Sequence, residues 1–505
     1  MDKQFSGILN NSVPLKAEEI SVLGYEEFCT IVSGLLRDEE KHCLAYYCFN
    51  SSDYLRFLCV IADDRTKRIS IFSHLLPADK PVLKSLTPEC PQLHIFEREI
   101  HEKHGVEFSG HPWLKPVRFS HDRHDRSKTM DDYPFYTIES EELHEVGVGP
   151  IHAGIIEPGH FRFICNGEKV LHLEIHLGYQ HRGIDKLIIE KKNGLQRSII
   201  CDNIAGDTSV GHSLAHVQLV ESLAGIEVSE SLQIERCIAL ELERIAMHIG
   251  DTAALCGDVA YQLGQVVCEA LRTTIINTTQ FWCGNRFGKG LIRPGGSNFP
   301  LSDTIADEIL KVLSDSGRRY SEVFERIYSL PSLLSRFEDI GTVTRQQALT
   351  VGAVGMAART SGIARDTRKS HPFQYYTKYN YEPLIYTSGD VLARGLLRVA
   401  EVKESVKMIG ELVNLWRNTK KETGRPVYDY KLKPDSFAIS LVEGWRGEIF
   451  HSAFTDKDGN IKNYYIKDPS LHNWMALALA VRNQEISDFP VCNKSFNLSY
   501  CGNDL

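Results

Sequence analysis

The chain has 505 residues, too many for one ordinary domain, so two or three folded units are expected. Hydrophobic residues make up 42% and charged residues 24%, a globular composition, and no run approaches the roughly 20 uninterrupted apolar residues of a membrane span. The formal net charge of -9 speaks against a nucleic-acid binder, which would be basic.

Residues 1 to about 120 read as a small α/β unit. "YLRFLCVIAD" and "RISIFSHLL" have the apolar, aromatic-rich character of strands, with "DDRTK" as the turn between them. "LHIFEREIHEKHG" predicts a helix with Ile95, Phe96 and Ile100 as its apolar stripe and Gly105 as its stop. The opening run, MDKQFSGILNN, lacks the apolar core of a signal peptide, so a cytoplasmic location is expected.

Residues 118–146 are charged and weakly periodic and read as a linker, placed at 121–146. His121 and His124 within it read as solvated residues rather than ligands. From about 147, "GPIHAGIIEPGHFRFICNGEKVLHLEIHLG" alternates between glycine turns and predicts a short sheet. Helices follow. "SLQIERCIALELERIAMHIGDTAAL" places Ile234, Ile238, Leu242, Ile245 and Ile249 at helical spacing, opposite a polar stripe of Glu241, Arg244, His248 and Asp251. Such a stripe is usually the wet face of a helix. "SDTIADEILKVLSDSGRRYSEVFERIYSL" and "ARGLLRVAEVKESVKMIGELVNLWRNTKK" also read as helices. The expected fold is therefore α+β, with a small N-terminal α/β unit and a mainly helical unit over 147–505 that opens on a short sheet.

Nucleotide and hydrolase signatures are missing: no GxGxxG follows a strand, and there is no GxxxxGK[ST], GxSxG or HExxH. The 13 cysteines include no CxxC pair, the spacing that lets two thiolates of one turn reach one metal ion. Their odd number and wide spread read as reduced thiols, most of them small core residues. "GHSLAH" puts His212 and His216 one helical turn apart, where they can bind a metal, but without a third ligand nearby packing or hydrogen bonding is the plainer role.

Several segments together resemble a known family. "FEREIHEKHGVEFSGHPWL" is similar to the smaller peripheral-arm subunit of complex I, through Glu97, Arg98, Glu99, Gly105, Gly110, His111 and Pro112, although Glu102 stands where that family favours Asp. "GPIHAGIIEPGHFRF", "HLGYQHRGIDKL", "LELERIAMHIGDTAALCGDV", "RPGGS", "ARTSGIARDTR" and "GDVLARGLLRVAE" resemble, in order, blocks of the large subunit shared by complex I and the membrane-bound nickel–iron hydrogenases. Both subunits fused in one chain resembles the hydrogenase-4 and formate hydrogenlyase large subunits more than most quinone enzymes.

In the hydrogenases four cysteinates hold nickel, because a soft, strongly donating ligand suits that redox chemistry. Anchored on "HSLAH", the first cysteine pair of the resemblance falls on Ala205 and Thr208; anchored on Ser495 and Phe496, the second falls on Ser499 and Gly502. Cys501 is one residue out of register, and Cys201 lies four residues before the first position. The complex I pattern departs too, since its quinone-binding tyrosine corresponds to Gly206. The turn "GPIHAGIIEPGH" resembles the hydrogenase version, in which Glu157 matches the glutamate that passes protons from the metal site.

The resemblance implies a hydrogenase-like scaffold with its metal site replaced. This chain would hold no metal or cofactor of its own, with a quinone as one candidate acceptor. Asp207 would serve as acid or base, helped by a pKa raised on burial. Thr208 and Ser499 would offer hydroxyls, while His212, Arg293 and Arg359 would serve the same enclosed cavity, with Gly206, Tyr500 and Cys501 around the acceptor. Plainer roles stand beside these. Asp207 or Thr208 would cap the following helix, Arg293 would hold the RPGG turn, Glu157 would be a structural ion-pair partner, and Glu241, Arg244 and His248 would form a buried coupling network. The implied partners are an Fe–S small subunit, a ferredoxin-like Fe–S subunit and membrane antiporter-like and anchor subunits, at the cytoplasmic face of the cell membrane. A non-catalytic scaffold or conformational relay is the competing reading.

Overall fold

The computed structural model describes residues 7–79, 81–153 and 156–505. Residues 1–6, which open the run MDKQFSGILNN, and Gly154 and Ile155 of the "GPIHAGIIEPGH" turn lie outside the described residues.

Three short strands, β1 (Gly7–Leu9), β2 (Leu15–Lys16) and β3 (Val22–Leu23), precede helix α1 (Tyr25–Leu35) and the long antiparallel strands β4 (Lys41–Ser51), β5 (Tyr54–Asp63) and β6 (Arg68–Pro77). The sheet order is β1-β6-β5-β4, with β3 beside β6. Asp63 closes the "DDRTK" turn by accepting from the Arg65 and Thr66 amides. Strands β7 (Val82–Lys84) and β8 (Glu107–Ser109) pair around α2 (His94–His104), which stops at Gly105 in the left-handed region, φ +70°.

Residues 121–146 are anchored rather than free. The Tyr133 ring stacks on His176 at 4.2 Å, and Tyr136 N donates to Glu174. His121 and His124 are exposed. The predicted short sheet is β9 (His144–Val148), β10 (His160–Asn166) and β11 (Lys169–His176). Helices α3 (Ile184–Glu190), α4 (Gly194–Cys201), α5 (Ser209–Ala224), α6 (Glu230–Asp258), α7 (Gln262–Cys283) and α8 (Asp303–Ile327) follow. The short helices α9 (Pro331–Leu334), α10 (Arg345–Val351), α11 (Gly355–Thr360) and α12 (Thr367–Ser370) lead to α13 (Val391–Asn418). Among the described residues no helix is long and apolar enough to cross a membrane.

One element departs from a helical unit whose only sheet is at its start. A second sheet, β12 (Ser436–Glu443), β13 (Glu448–Thr455) and β14 (Ile461–Lys467), sits near the C-terminus and takes β2 as an edge strand. One face receives α5. The other joins the N-terminal core, where Phe437, Ile439, Leu441 and Phe450 pack with Phe57, Leu58 and Phe96. The first unit is therefore interlocked with the second, and Tyr47 stacks on Tyr465 at 4.3 Å across the join. The chain ends in α14 (Ser470–Val481), α15 (Phe489–Phe496) and α16 (Tyr500–Asp504).

The polar stripe of α6 is not wet. Glu241, Arg244 and His248 are fully buried between α6, α11 and α13. Charges taken out of water need partners, and these have them. Glu401 accepts from Arg359 Nη2 and His248 Nε2 at 2.6 Å each, and Glu241 accepts from Arg244 Nε at 3.0 Å and Arg368 Nη1 at 3.2 Å.

Candidate functional site

The two loops on which the sequence resemblance placed the ligand positions, 205–208 and 499–502, meet here. The first, Ala205–Thr208, joins α4 to α5. The first amides of α5 are buried and need acceptors. Thr208 is the N-cap by position but makes no capping bond, and Asp207 makes none either. The cap comes from α6: Glu243 accepts from Val210 N at 2.7 Å and Gly211 N at 3.1 Å. Burial pushes Glu243 up to about 8 despite those two donors.

Asp207 is neutralised by the turn between β12 and β13. Arg446 Nη1 and Nη2 donate to its two carboxylate oxygens at 2.7 Å each, the fork-on-fork geometry of a strong pair. Nη1 also donates to Thr208 Oγ1 at 3.1 Å, and the guanidinium lies 3.9 Å from the Trp445 ring centre. Trp445 Nε1 donates to the Asp207 carbonyl at 2.9 Å. Burial alone would raise the Asp207 pKa, as expected from the sequence, but Arg446 overrides it and holds the carboxyl below its usual range. Asp207 is thus a fixed anion rather than a raised-pKa acid.

The second loop is Ser499–Gly502. Ser499 caps α16 by accepting from Gly502 N at 2.9 Å. Cys501 is half-buried, with its sulfur 3.5 Å from Ser499 Oγ, and the Glu157 carboxylate reaches its amide at 3.5 Å. Burial, then the Glu157 charge, pushes the Cys501 thiol up to about 11, so it is protonated near neutral pH. Arg182 of "QHRGIDKL" stitches the loops together, donating to the Asn203, Ile204 and Cys501 carbonyls at 2.6, 2.8 and 2.9 Å. Gly206 is exposed, and a Cβ built there meets nothing within 4 Å, so the junction opens at that edge.

The other predicted residues divide. His212 reaches the site through Asp468, donating from Nε2 at 3.0 Å. Tyr500 is a core residue, its ring 4.9 Å from Trp474 and its hydroxyl against Asn493. Arg293 does not face the site: it pairs with Asp202 at 2.6 Å and ties the RPGGS turn to the end of α4. Arg359 does not face it either. It is spent on Glu401, Glu443 and Asp366 at 2.6, 2.7 and 3.1 Å inside the buried network. The enclosed cavity lined by arginines is therefore a closed set of ion pairs, and a cleft lies elsewhere, along Arg37, Lys41, His42 and Arg365. Cys201 is fully buried at the end of α4.

Arg446, Trp445, Asp468 and Glu243 escaped the sequence reading. "EGWRGE" and "IKDPS" match no chemical motif, and each residue reaches the site from a distant part of the chain.

A nickel–iron centre does not fit these residues. The Thr208 hydroxyl is held by Arg446 and Asp207, and the Ser499 hydroxyl by the α16 cap. A Cβ at Gly502 would sit 2.7 Å from Asp468 Oδ2 and 2.8 Å from Ser499 Oγ, so a cysteine there would displace both. Among the described residues no group of three or more His, Cys, Asp or Glu side chains is placed to hold a metal ion.

Comparison with known proteins places this geometry. The family model for the 30 Kd subunit of respiratory-chain NADH dehydrogenase matches residues 23–133, and that for its 49 Kd subunit matches 258–504. Hydrogenase-4 component G of Escherichia coli is 27% identical over 447 residues, covering 85% of this chain and 77% of that protein. The C/D-type polypeptide of NADH-quinone oxidoreductase from Phocaeicola vulgatus is 26% identical over 445 residues, covering 81% and 84%. A chain of the membrane-bound sulfane sulfur reductase, an archaeal respiratory membrane complex, shares the fold with a TM-score of 0.67 at 21% identity, over 73% of this chain and all of that one. The chain therefore carries, in order in one polypeptide, a segment matching the 30 Kd-type subunit of respiratory-chain NADH dehydrogenase and one matching its 49 Kd-type subunit.

Proposed function

We propose that this chain is the large peripheral subunit of a membrane-associated oxidoreductase complex of the complex I and hydrogenase-4 kind. It takes electrons from an Fe–S partner subunit to an acceptor at the junction of the 205–208 and 499–502 loops, without a nickel–iron centre, and the complex couples the transfer to ion movement. The observation that carries this reading is the junction itself. Arg182 holds the loops together with Glu157 against Cys501, although none of the four ligand positions offers a thiolate. An open edge at Gly206 beside a fixed carboxylate–guanidinium pair suits a small polar or quinone-like acceptor. The fold neighbour is named for sulfane sulfur, so a polysulfide belongs beside quinone among the acceptors to test. The chain's place in the complex would be at the cytoplasmic face, beside Fe–S, antiporter-like and anchor subunits.

A second reading has its own support. Arg293 and Arg359 are locked into ion pairs away from the junction, and Asp207 is fully neutralised, as befits a scaffold or conformational relay.

One experiment separates them. The intact complex is purified and assayed for electron transfer from reduced ferredoxin to a short-chain quinone or polysulfide, with metal analysis on the same sample. Acceptor reduction without nickel, lost when Gly206→Trp blocks the open edge, is the expected result. No reduction of either acceptor favours the scaffold, and stoichiometric nickel with hydrogen evolution overturns the metal-free site.

A further inference from the structure

Five buried side chains form one unbroken file of hydrogen bonds through the core. Asp468 follows β14; His212 and His216 lie one turn apart on α5; His451 is on β13 and Tyr464 on β14. His212 Nε2 meets Asp468 Oδ2 at 3.0 Å, and His212 Nδ1 meets His451 Nε2 at 3.1 Å. His451 Nδ1 meets the Tyr464 hydroxyl at 2.8 Å, and that hydroxyl meets His216 Nδ1 at 2.9 Å. All five are essentially sealed from solvent, none exceeding 2% exposure.

The file has a direction. A carboxylate accepts only, so His212 donates from Nε2, and in a neutral ring that leaves Nδ1 to accept. His451 then donates from Nε2 and accepts at Nδ1, Tyr464 donates to His451, and His216 donates from Nδ1. Every proton points toward Asp468. At the far end His216 Nε2 is left as a buried lone pair with no protein partner. Orphaned buried polar atoms are rare and call for an explanation. At the near end Asp468 borders the second loop, since its Oδ2 lies 2.7 Å from the Cβ position of Gly502 and Ser470, next to it, accepts from Ser499 N at 2.9 Å.

We propose that Asp468, His212, His451, Tyr464 and His216 are a primed proton relay that loads at His216 Nε2 and discharges at Asp468, beside the 499–502 loop. A proton arriving on His216 Nε2 releases the Nδ1 proton to Tyr464. Tyr464 passes its hydroxyl proton to His451 Nδ1, His451 passes its Nε2 proton to His212 Nδ1, and His212 passes its Nε2 proton to Asp468. One proton enters and one arrives; only N–H and O–H bonds change, and no electron moves. The use made of the proton, at a reduced acceptor, rests on the redox reading above; the relay itself does not.

The surroundings suit such a relay. Burial, then Arg197 and Arg293, lowers His216 to about 3, and burial with the neighbouring imidazoles holds His451 well below its ordinary value, so both rings stay neutral. Burial would raise Asp468, but His212 and Arg446 hold it low and charged, with Asp207 nearby as the opposing anion. Tyr464 faces Cys201, Tyr430 and Arg197 from α4 and the chain before β12.

The relay has a signature that needs no acceptor. The intact complex carrying histidine labelled with nitrogen-15 is followed by solid-state NMR. Near neutral pH the three rings should be neutral, with the proton on Nε2 of His212 and His451 and on Nδ1 of His216. On acidification all three should exchange tautomer together at one midpoint, as a single proton crosses to Asp468. Tyr464→Phe should split His216 from the other two. If that variant fails to assemble, His216→Gln, which removes the loading lone pair, should abolish the joint exchange while His212 and His451 stay neutral. Rings that become imidazolium one by one at separate midpoints, or a joint exchange that survives Tyr464→Phe, would overturn the relay. In the redox assay Tyr464→Phe should slow acceptor reduction at least about tenfold. If the complex reduces no acceptor while the rings exchange together, the redox reading fails and the relay stands; the opposite result removes the relay alone.

Discussion

Arg446 supplies the positive charge beside the 205–208 loop. Its guanidinium binds both Asp207 oxygens, Thr208 and the Asn497 carbonyl, so one side chain ties the first loop to the C-terminal segment. Asp207 is only half-buried, so removing Arg446 leaves a charge that water can still partly solvate, a loss of about 1–3 kcal/mol. Arg446→Ala should lower the stability of the complex-bound chain by that order, read as a shift of the thermal unfolding midpoint. Asp207→Asn, which keeps the shape, should lower it less. Equal, negligible shifts for both would mean that the pair is not structural. This scale is also where the sequence was least legible. Asp207, Ser499 and Cys501 could be placed from loop motifs, but Arg446 lies 239 residues from its partner in a turn with no chemical pattern. Arg293 and Arg359 went astray for the same reason: a charged residue in a family block does not say which of several buried carboxylates it will meet.

At the scale of elements, the Arg446 turn is held by a crossing of two backbones. Gly355 opens α11 with φ +58°, and a Cβ there would lie 2.2 Å from Gly447 Cα and 2.3 Å from the Arg446 carbonyl. Gly447 itself sits at φ +141°, with Gly355 Cα 2.7 Å from its Cβ position. No side chain fits between them, and neither backbone can swing away as a flexible side chain could. Gly355→Ala should therefore destabilise by on the order of 3 kcal/mol or more, from strain and overpacking together. It should also loosen the Arg446 turn, seen as faster amide exchange over 443–448. Gly410→Ala is the control, because a Cβ there meets nothing within 4 Å. Periodicity found several of the long elements. Strands β5 and β6 and helices α2, α5, α6, α8 and α13 lie where their patterns put them. Strands β12 to β14 were missed because β12 and β13 are buried along their whole length, and a strand covered on both faces shows no alternation. The α6 stripe was readable two ways, as a wet face or a buried network, and only its partners on α11 and α13 decide for the buried one.

The molecule as a whole keeps much of its charge and many of its histidines out of water, and this sets how it should respond to acid. Burial lowers His74, His176 and His216 to about 3 and His104 and His248 to about 4. A base whose pKa falls on folding contributes stability that is present above its ordinary value of 6.5 and is lost as pH falls toward the folded value. The unfolded chain takes up these protons first, so each histidine pulls the equilibrium toward unfolding between about pH 6.5 and 4. Two buried carboxyls act the other way: Glu243, pushed up to about 8, and Glu443, pushed up to about 7, hold protons in the fold that the unfolded chain has released. Their stabilising effect is fully present below 4.5, so it grows as pH falls through the same window. His111, lowered to about 4, and His94, His451 and His472, held well below their ordinary value, add to the histidine side, while Glu97, Glu235, Asp251 and Asp504 are raised on the other; the histidines' displacements dominate the window. The thermal midpoint of the full chain in its complex should fall steadily from pH 6.5 to 4.5. Glu243→Gln, which cannot ionise, should steepen that fall by removing one of the opposing terms. A midpoint that stays flat or rises on acidification would show that the buried histidines take up protons inside the fold, which the closed packing around His74 and His248 opposes.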